Sequence, residues 1–343
     1  MNIAYISIKR FEGMGQGIPR YVTMLYQYLE QLNKNNHTQF NIKKLSYSSL
    51  PFIGEGLSLE FKSILSNFEN FDILHNPIGF IPIHNIRNRK YIVTVHDTQQ
   101  IYPDSLKSKL WQMLVVKRGL NYTLKNADFI IANSSQTKEE VIKLGFNKKK
   151  VAIANSGLDK KFIYSKSKQV IKNNKYIVGY LGAFGPNKNI KFILDTAKLL
   201  IENKKIEFNI YGNKAYWYEK FEAIATKNIA FKGFAPEDKI IETYDSFDAF
   251  AFPSLYEGFG LPIIEAQSRG LPVIIYKYGK IPKEVRKYCF EAESPEHMAQ
   301  IIEDLKQNGY NEKLRKKATE YARSFTWEKC ARDTLMVYKE VSK

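Results

Sequence analysis

DAFAFPSLYEGFGLPIIEAQSRGLPVIIY, running from Asp248 to Tyr276, reads as one strand–loop–helix–strand unit. Residues 248–253 are short, apolar and aromatic, as a buried strand should be. Pro253 ends that strand, and a loop holding Glu257, Gly258, Phe259 and Gly260 follows. Pro262 suits a first helical turn, because the N–H it lacks would be unpaired there anyway. Gly270 suits the helix C-terminus, and Leu271–Tyr276 makes a second apolar strand. Glu257 and Glu265 stand eight positions apart, with the backbone N–H groups of a helix start between them. That combination fits a ligand that is anionic in one part and hydroxyl-rich in another.

Working outward, the same alternation fills the chain. Upstream lie strands at 176–182, 206–213 and 229–234, with a helix at NIKFILDTAKLLIEN between the first two. Residues 158–175 are polar and lysine-rich and read as a linker. Before it come strands at 2–8, 40–47, 71–77, 91–97, 127–134 and 151–157. Strands alternating with helical segments predict parallel sheets, so the fold class is α/β with two successive domains. The boundaries are 1–165 and 166–324, with residues 296–343 helical.

Composition narrows the partners. The 343 residues, 44% hydrophobic and 25% charged, are those of a globular protein. MNIAYISIKR lacks the long apolar core of a signal peptide, and no run of about 18 apolar residues could span a membrane. Cys289 and Cys330 form neither metal spacing nor a disulfide framework, which fits a reducing cytoplasm. The net charge of +17 divides into +10 for residues 1–165 and +7 for 166–343. It admits nucleic acid, anionic membrane or phosphorylated substrates as partners, or simply solvated lysines. Dispersed basic residues without a binding motif argue against nucleic acid. Residues 105–125 carry five basic residues, no acidic one, and Trp111. Such a helix either rests on an anionic membrane surface or packs as an ordinary surface helix.

Two further places look chemical. Gly13, Gly15 and Gly17 crowd the turn after the first strand, where glycine lets backbone approach a ligand, often a phosphate. Arg20 stands where a dinucleotide fingerprint needs its third glycine, which argues against a nicotinamide enzyme. His96 and Asp97 end the 91–97 strand, at the edge where open α/β sheets bind ligands.

SLYEGFGLPIIEAQSRGLPVI resembles the E-x7-E signature of retaining GT-B glycosyltransferases of family 4. GIPRY (17–21), TVHD (94–97), IANSSQTKEE, SGLD (156–159), YLGAFGPNKNI (180–190) and FTWEKCARDTLMVY are similar to that family's further motifs, in order along the whole chain. The resemblance implies a GT-B fold of two Rossmann-like domains facing across a cleft, with a helix from about 325 packing back on the first. It implies a nucleotide diphosphate sugar, UDP- or GDP-linked, on the second domain, no cofactor, and an acceptor on the first. A lipid-linked or cell-surface glycan precursor is the expected acceptor. By position, Glu265 would bind the donor ribose and Glu257 the transferred sugar. Lys188 would pair with the diphosphate, and the N–H groups of Phe259, Gly260 and Leu261 would face it or the sugar. Gly17 would let the first-domain turn approach, and His96 would contact the sugar. Transfer would retain the anomeric configuration. No D-x-D triplet occurs, which predicts metal independence. The family's arginine near the phosphate lysine is missing, its candidate positions being Ala183 and Asn187. That leaves a weak or non-catalytic homologue open, and the shared two-domain architecture keeps a sugar-nucleotide epimerase as a rival reading.

Overall fold

A computed structural model describes residues 1–11, 17–35, 40–48, 55–98, 110–164, 175–213 and 216–343. Gly13, Gly15 and residues 105–109 of the basic helix lie outside the described residues, as does the Trp111 side chain. The described part of that helix is Leu110–Asn126. Among the described residues, no helix is long and apolar enough to cross a membrane.

The chain divides into two units. One comprises Met1–Gly157 with Thr326–Lys343, and the other Leu158–Phe325. In the first, strands β1 (Asn2–Ile8), β2 (Asn41–Tyr47), β3 (Ile73–Asn76), β4 (Lys90–Val95), β5 (Phe129–Ala132) and β6 (Val151–Ile153) form a parallel sheet. Its order is β2-β1-β3-β4-β5-β6. β3, and β1 and β4 after their first residues, are buried throughout, the pattern of strands covered by helices on both faces. The Trp327–Val341 helix belongs to this unit. Thr326 caps it by accepting from Lys329 N–H, and Trp327, Cys330 and Tyr338 are fully buried in the first core.

In the second unit, β7 (Tyr176–Leu181), β8 (Ile206–Tyr211), β9 (Ile229–Gly233), β10 (Ala249–Phe252), β11 (Val273–Tyr276) and β12 (Phe290–Ala292) form the other parallel sheet. The order β12-β11-β10-β7-β8-β9 is the doubly wound 3-2-1-4-5-6 arrangement read from its far end.

Three readings need adjustment. Residues 158–164 are no linker: Leu158 and Phe162 are buried in the second core, and Lys160–Tyr164 is a short helix. The Glu55–Ile64 helix and β12 were both unforeseen. β12 is three residues long and only partly buried, too short for a period to register.

Candidate active site

In a doubly wound sheet the connections leave neighbouring strands in opposite directions at one point, and a crevice opens beyond their carboxyl ends. In the second unit that point lies between β7 and β10, paired with Val178 opposite Ala249 and Gly179 opposite Phe250. The loop after β7 carries Lys188, and the loop after β10 carries Glu257.

Backbone and side-chain bonds join the two loops. Leu255 N–H donates to Asn187 O at 2.8 Å, and Asn189 Nδ2 donates to Pro253 O at 3.2 Å. Asn189, with φ of 53°, turns the chain into the Ile190–Leu199 helix. Glu257 N–H donates to Lys280 O, and Lys280 N–H to Leu255 O, so the Glu257 loop is held from its other side too. The result is an ion pair of 2.6 Å between Lys188 Nζ and Glu257 Oε1, with side chains only 18% and 11% exposed. Lys188 Nζ also stands 5.7 Å from the Phe252 ring centroid.

Beyond Glu257, Gly260 adopts a left-handed conformation, φ 98° and ψ 50°, as the cap of the Leu261–Ser268 helix. A Cβ there would carry backbone strain and approach Ile263 Cδ1 to 3.3 Å. The N–H groups of Phe259, Gly260 and Leu261 have no acceptor among the described residues. They stand at the positive end of the helix, where an anion is favoured. Glu265, one turn in, is 4% exposed, and Tyr244 Oη donates to its Oε2 at 2.7 Å. Glu257 and Glu265 therefore differ in partner, a lysine for one and a phenol for the other.

Ala183 and Asn187, which stand where the arginine is missing, both serve the backbone. Ala183 O accepts from Tyr180 Oη, and Asn187 O accepts from Leu255 N–H. No three His, Cys, Asp or Glu side chains gather as a metal site among the described residues.

In the first unit, Gly17 has φ of 69° and open space where a Cβ would sit. Its carbonyl accepts the Tyr21 N–H at 3.1 Å, which opens the Ile18–Asn35 helix. His96 follows β4 and is buried, its Nε2 2.7 Å from Pro77 O. Only an N–H can meet a carbonyl, so Nε2 carries the proton. Burial lowers the His96 pKa to about 4 against that bond, so the ring is neutral and Nδ1 is left as an acceptor. Tyr21 stands edge-on to the ring at 4.6 Å.

Lys188, Glu257, Phe259, Gly260, Leu261 and Glu265 thus come together at one sheet edge, while Gly17 and His96 belong to the other unit. The sequence reading missed Tyr244, Tyr21, Asn189 and the Pro77 carbonyl. Two of these are residues in aromatic-rich stretches, and nothing in residue type distinguishes them from ordinary core.

These two doubly wound units, with cation, carboxylate and free amides at one switch point, define a glycosyltransferase of GT-B fold. Residues 17–162 match the family model described as Glycosyltransferase Family 4, and residues 162–325 the one described as Glycosyl transferases group 1. The chain belongs to the GT-B glycosyltransferases of the family 4 type. It is 25% identical over 286 residues to O-antigen chain mannosyltransferase B of Escherichia coli, covering 78% of this chain and 74% of that protein. It is 26% identical over 254 residues to the UDP-Gal:alpha-D-GlcNAc-diphosphoundecaprenol alpha-1,3-galactosyltransferase of Escherichia coli, covering 66% and 65%. Among solved structures, it resembles sucrose-phosphate synthase of Thermosynechococcus elongatus, with TM-score 0.77, 17% identity and 99% of each chain covered. Anabaena HepE in complex with UDP and glucose aligns with TM-score 0.71 and 16% identity, covering 98% and 99%.

Proposed function

We propose that this glycosyltransferase moves a hexose from a nucleotide diphosphate sugar, UDP- or GDP-linked, to a lipid-linked or cell-surface glycan precursor, with retention and without a metal. The observation that carries the reading is the Lys188–Glu257 pair beside the free amides of Phe259, Gly260 and Leu261. Without ligand, Glu257 neutralises Lys188. An arriving diphosphate takes over the lysine, and the released carboxylate faces the sugar hydroxyls. As the glycosidic bond breaks, the diphosphate gains negative charge. Lys188 and the helix start then stabilise the transition state more than the ground state. Glu265, oriented by Tyr244, takes the ribose hydroxyls, and His96 Nδ1 accepts from the donor sugar. Gly17 leaves room for the ligand at its turn.

The acceptor class is supported by relatives named for O-antigen chain and diphosphoundecaprenol-linked sugars. The basic composition adds peripheral contact with an anionic membrane at a cytoplasmic face as a further part of the reading.

The test is a donor panel of UDP- and GDP-hexoses with a diphosphoundecaprenol-linked sugar, with the product anomer assigned by NMR. Wild-type protein should transfer with retention and keep full activity in excess chelator. Inversion of configuration, or activity lost to chelator and restored by a divalent cation, would overturn those parts of the reading. Release of an epimerised sugar nucleotide from donor alone would favour an epimerase instead.

A further inference from the structure

The Pro77 carbonyl that accepts from His96 Nε2–H at 2.7 Å is not free to turn. It shares a planar trans peptide with the Ile78 N–H. In such a unit the C=O points opposite to the N–H, so whatever holds the one aims the other. Asn76 holds it: Ile78 N–H donates to Asn76 Oδ1 at 3.0 Å.

Asn76 is the last residue of β3, fully buried and paired with Val93 of β4. Its Nδ2 donates to Ile81 O at 2.9 Å and to Gly79 O at 3.1 Å. Residues 77–81 therefore fold around one amide. Tyr91 Oη, from β4, donates to Ile81 O at 3.3 Å, and Gly79 supplies the left-handed turn with φ of 113°. From outside, the Leu110–Asn126 helix presses close. A Cβ at Gly119 would come within 1.9 Å of Phe80 O.

A residue that merely filled this loop would need only the two Nδ2 donors, which keep the Gly79 and Ile81 carbonyls from being left unpaired. The Oδ1 bond is a separate contact, the two-residue reach by which asparagine sets a turn. It fixes the one peptide plane whose other side meets the imidazole. We infer that Asn76 is a positioning residue for His96: through the Pro77–Ile78 peptide it aims the carbonyl that accepts Nε2–H and so leaves Nδ1 as the acceptor. The consequence for transfer rests on His96 contacting the donor sugar.

Three variants test it. In long-range 1H–15N spectra of the histidine rings, wild-type His96 should show a single Nε2–H tautomer. Asn76→Ala removes the acceptor for Ile78 N–H and should convert the ring to a mixture. It should also lower kcat about tenfold with donor KM little changed, since small misplacements of a reacting group act on kcat. Asn76→Asp, kept neutral by burial, retains an oxygen for Ile78 N–H and loses a donor to the loop. Tyr91→Phe removes the hydroxyl that donates to Ile81 O and leaves the Pro77–Ile78 peptide alone. Both should unfold at lower urea yet keep the single tautomer and the wild-type kcat. An unchanged tautomer in Asn76→Ala would make Asn76 a loop filler and overturn the inference, as would a mixture in Asn76→Asp or Tyr91→Phe. Should Asn76→Ala fail to fold, the other two variants still decide on that criterion. In a His96→Ala background, Asn76→Ala should lower kcat no further, and equal losses with and without His96 would also overturn it. If His96→Ala alone transfers at the wild-type rate, the sugar-contact reading of His96 fails, and the spectra still decide the positioning.

Discussion

Replacing Lys188 with methionine keeps most of the stem and removes the charge, and its effect should divide cleanly between stability and chemistry. Lys188 Nζ is 2.6 Å from Glu257 Oε1, and the carboxylate side chain is only 11% exposed. Its loop is fixed by the bonds through Lys280 and Asn187, so Glu257 cannot swing freely into water. Removing one partner of a buried pair costs about 3–5 kcal/mol, and the small residual exposure places this site at about 3 kcal/mol. At an m-value of about 2 kcal/mol per M, the urea midpoint of the second unit should fall by about 1.5 M. Adding Glu257→Gln removes the carboxylate charge that has lost its lysine, and the double variant should lie within about 1 kcal/mol of wild type. Transfer should behave differently. Each single variant and the double should lose on the order of a hundredfold in kcat, the scale of one preorganised charge at a developing anion. Urea unfolding followed by circular dichroism and a donor-release assay read the two effects separately. A Lys188→Met midpoint unchanged within about 0.2 M would refute the buried ion-pair argument. Recovered transfer in the double variant would refute the role in chemistry.

Three further outcomes follow from the same geometry. Tyr244→Phe removes the phenol that donates to Glu265 Oε2 in a site 4% exposed. It should cost about 1–3 kcal/mol and weaken the thermal stabilisation given by UDP or GDP. Gly260→Ala forces a φ of 98° on a residue with a side chain. It should destabilise by about 1–3 kcal/mol and impair nucleotide binding more than an alanine at Gly309, whose surroundings are open. His75 and His96 have folded pKa values lowered to about 3 and about 4, against about 6.5 unfolded. The unfolded chain therefore binds the extra protons, and stability present above about pH 6.5 is lost as pH falls. The slope between about pH 6 and pH 4 should approach 1.4 kcal/mol per pH unit for each ring. His75→Asn should reduce it, as read by urea unfolding across that pH range.

Most of the sheet architecture was legible because strands buried on both faces read as unbroken apolar runs, as NIAYISI and DAFAFP do. The segments that escaped, β12 and the Glu55–Ile64 helix, are short or mixed in polarity. The 158–164 stretch was misjudged because its two core residues, Leu158 and Phe162, stand singly among polar and lysine residues, with no apolar period between them. At the site, residue types and loop positions pointed to Lys188 and Glu257 separately. Their pairing was not legible, because it depends on the Leu255–Asn187 and Asn189–Pro253 bonds between loops nearly seventy residues apart in sequence. Tyr244 and Tyr21 were hidden for another reason. A phenol that orients a carboxylate or stands edge-on to an imidazole looks, in sequence, like any buried aromatic ring.

The placement of the Trp327–Val341 helix in the first unit bears on how the chain folds as it is synthesised. Leu158–Phe325 is contiguous in sequence and holds every strand of its sheet among the described residues, so it can close its core without waiting for the rest of the chain. The first unit is made earlier but must wait. Tyr21, Phe40 and His75 lack their aromatic neighbours Trp327 and Tyr338 until residues 326–343 emerge. Contacts of that sequence separation close slowly, and a released chain ending near residue 325 would hold a complete second unit and an unfinished first one. Fragments cut before Thr326 should therefore be protease-resistant in one half and sensitive in the other.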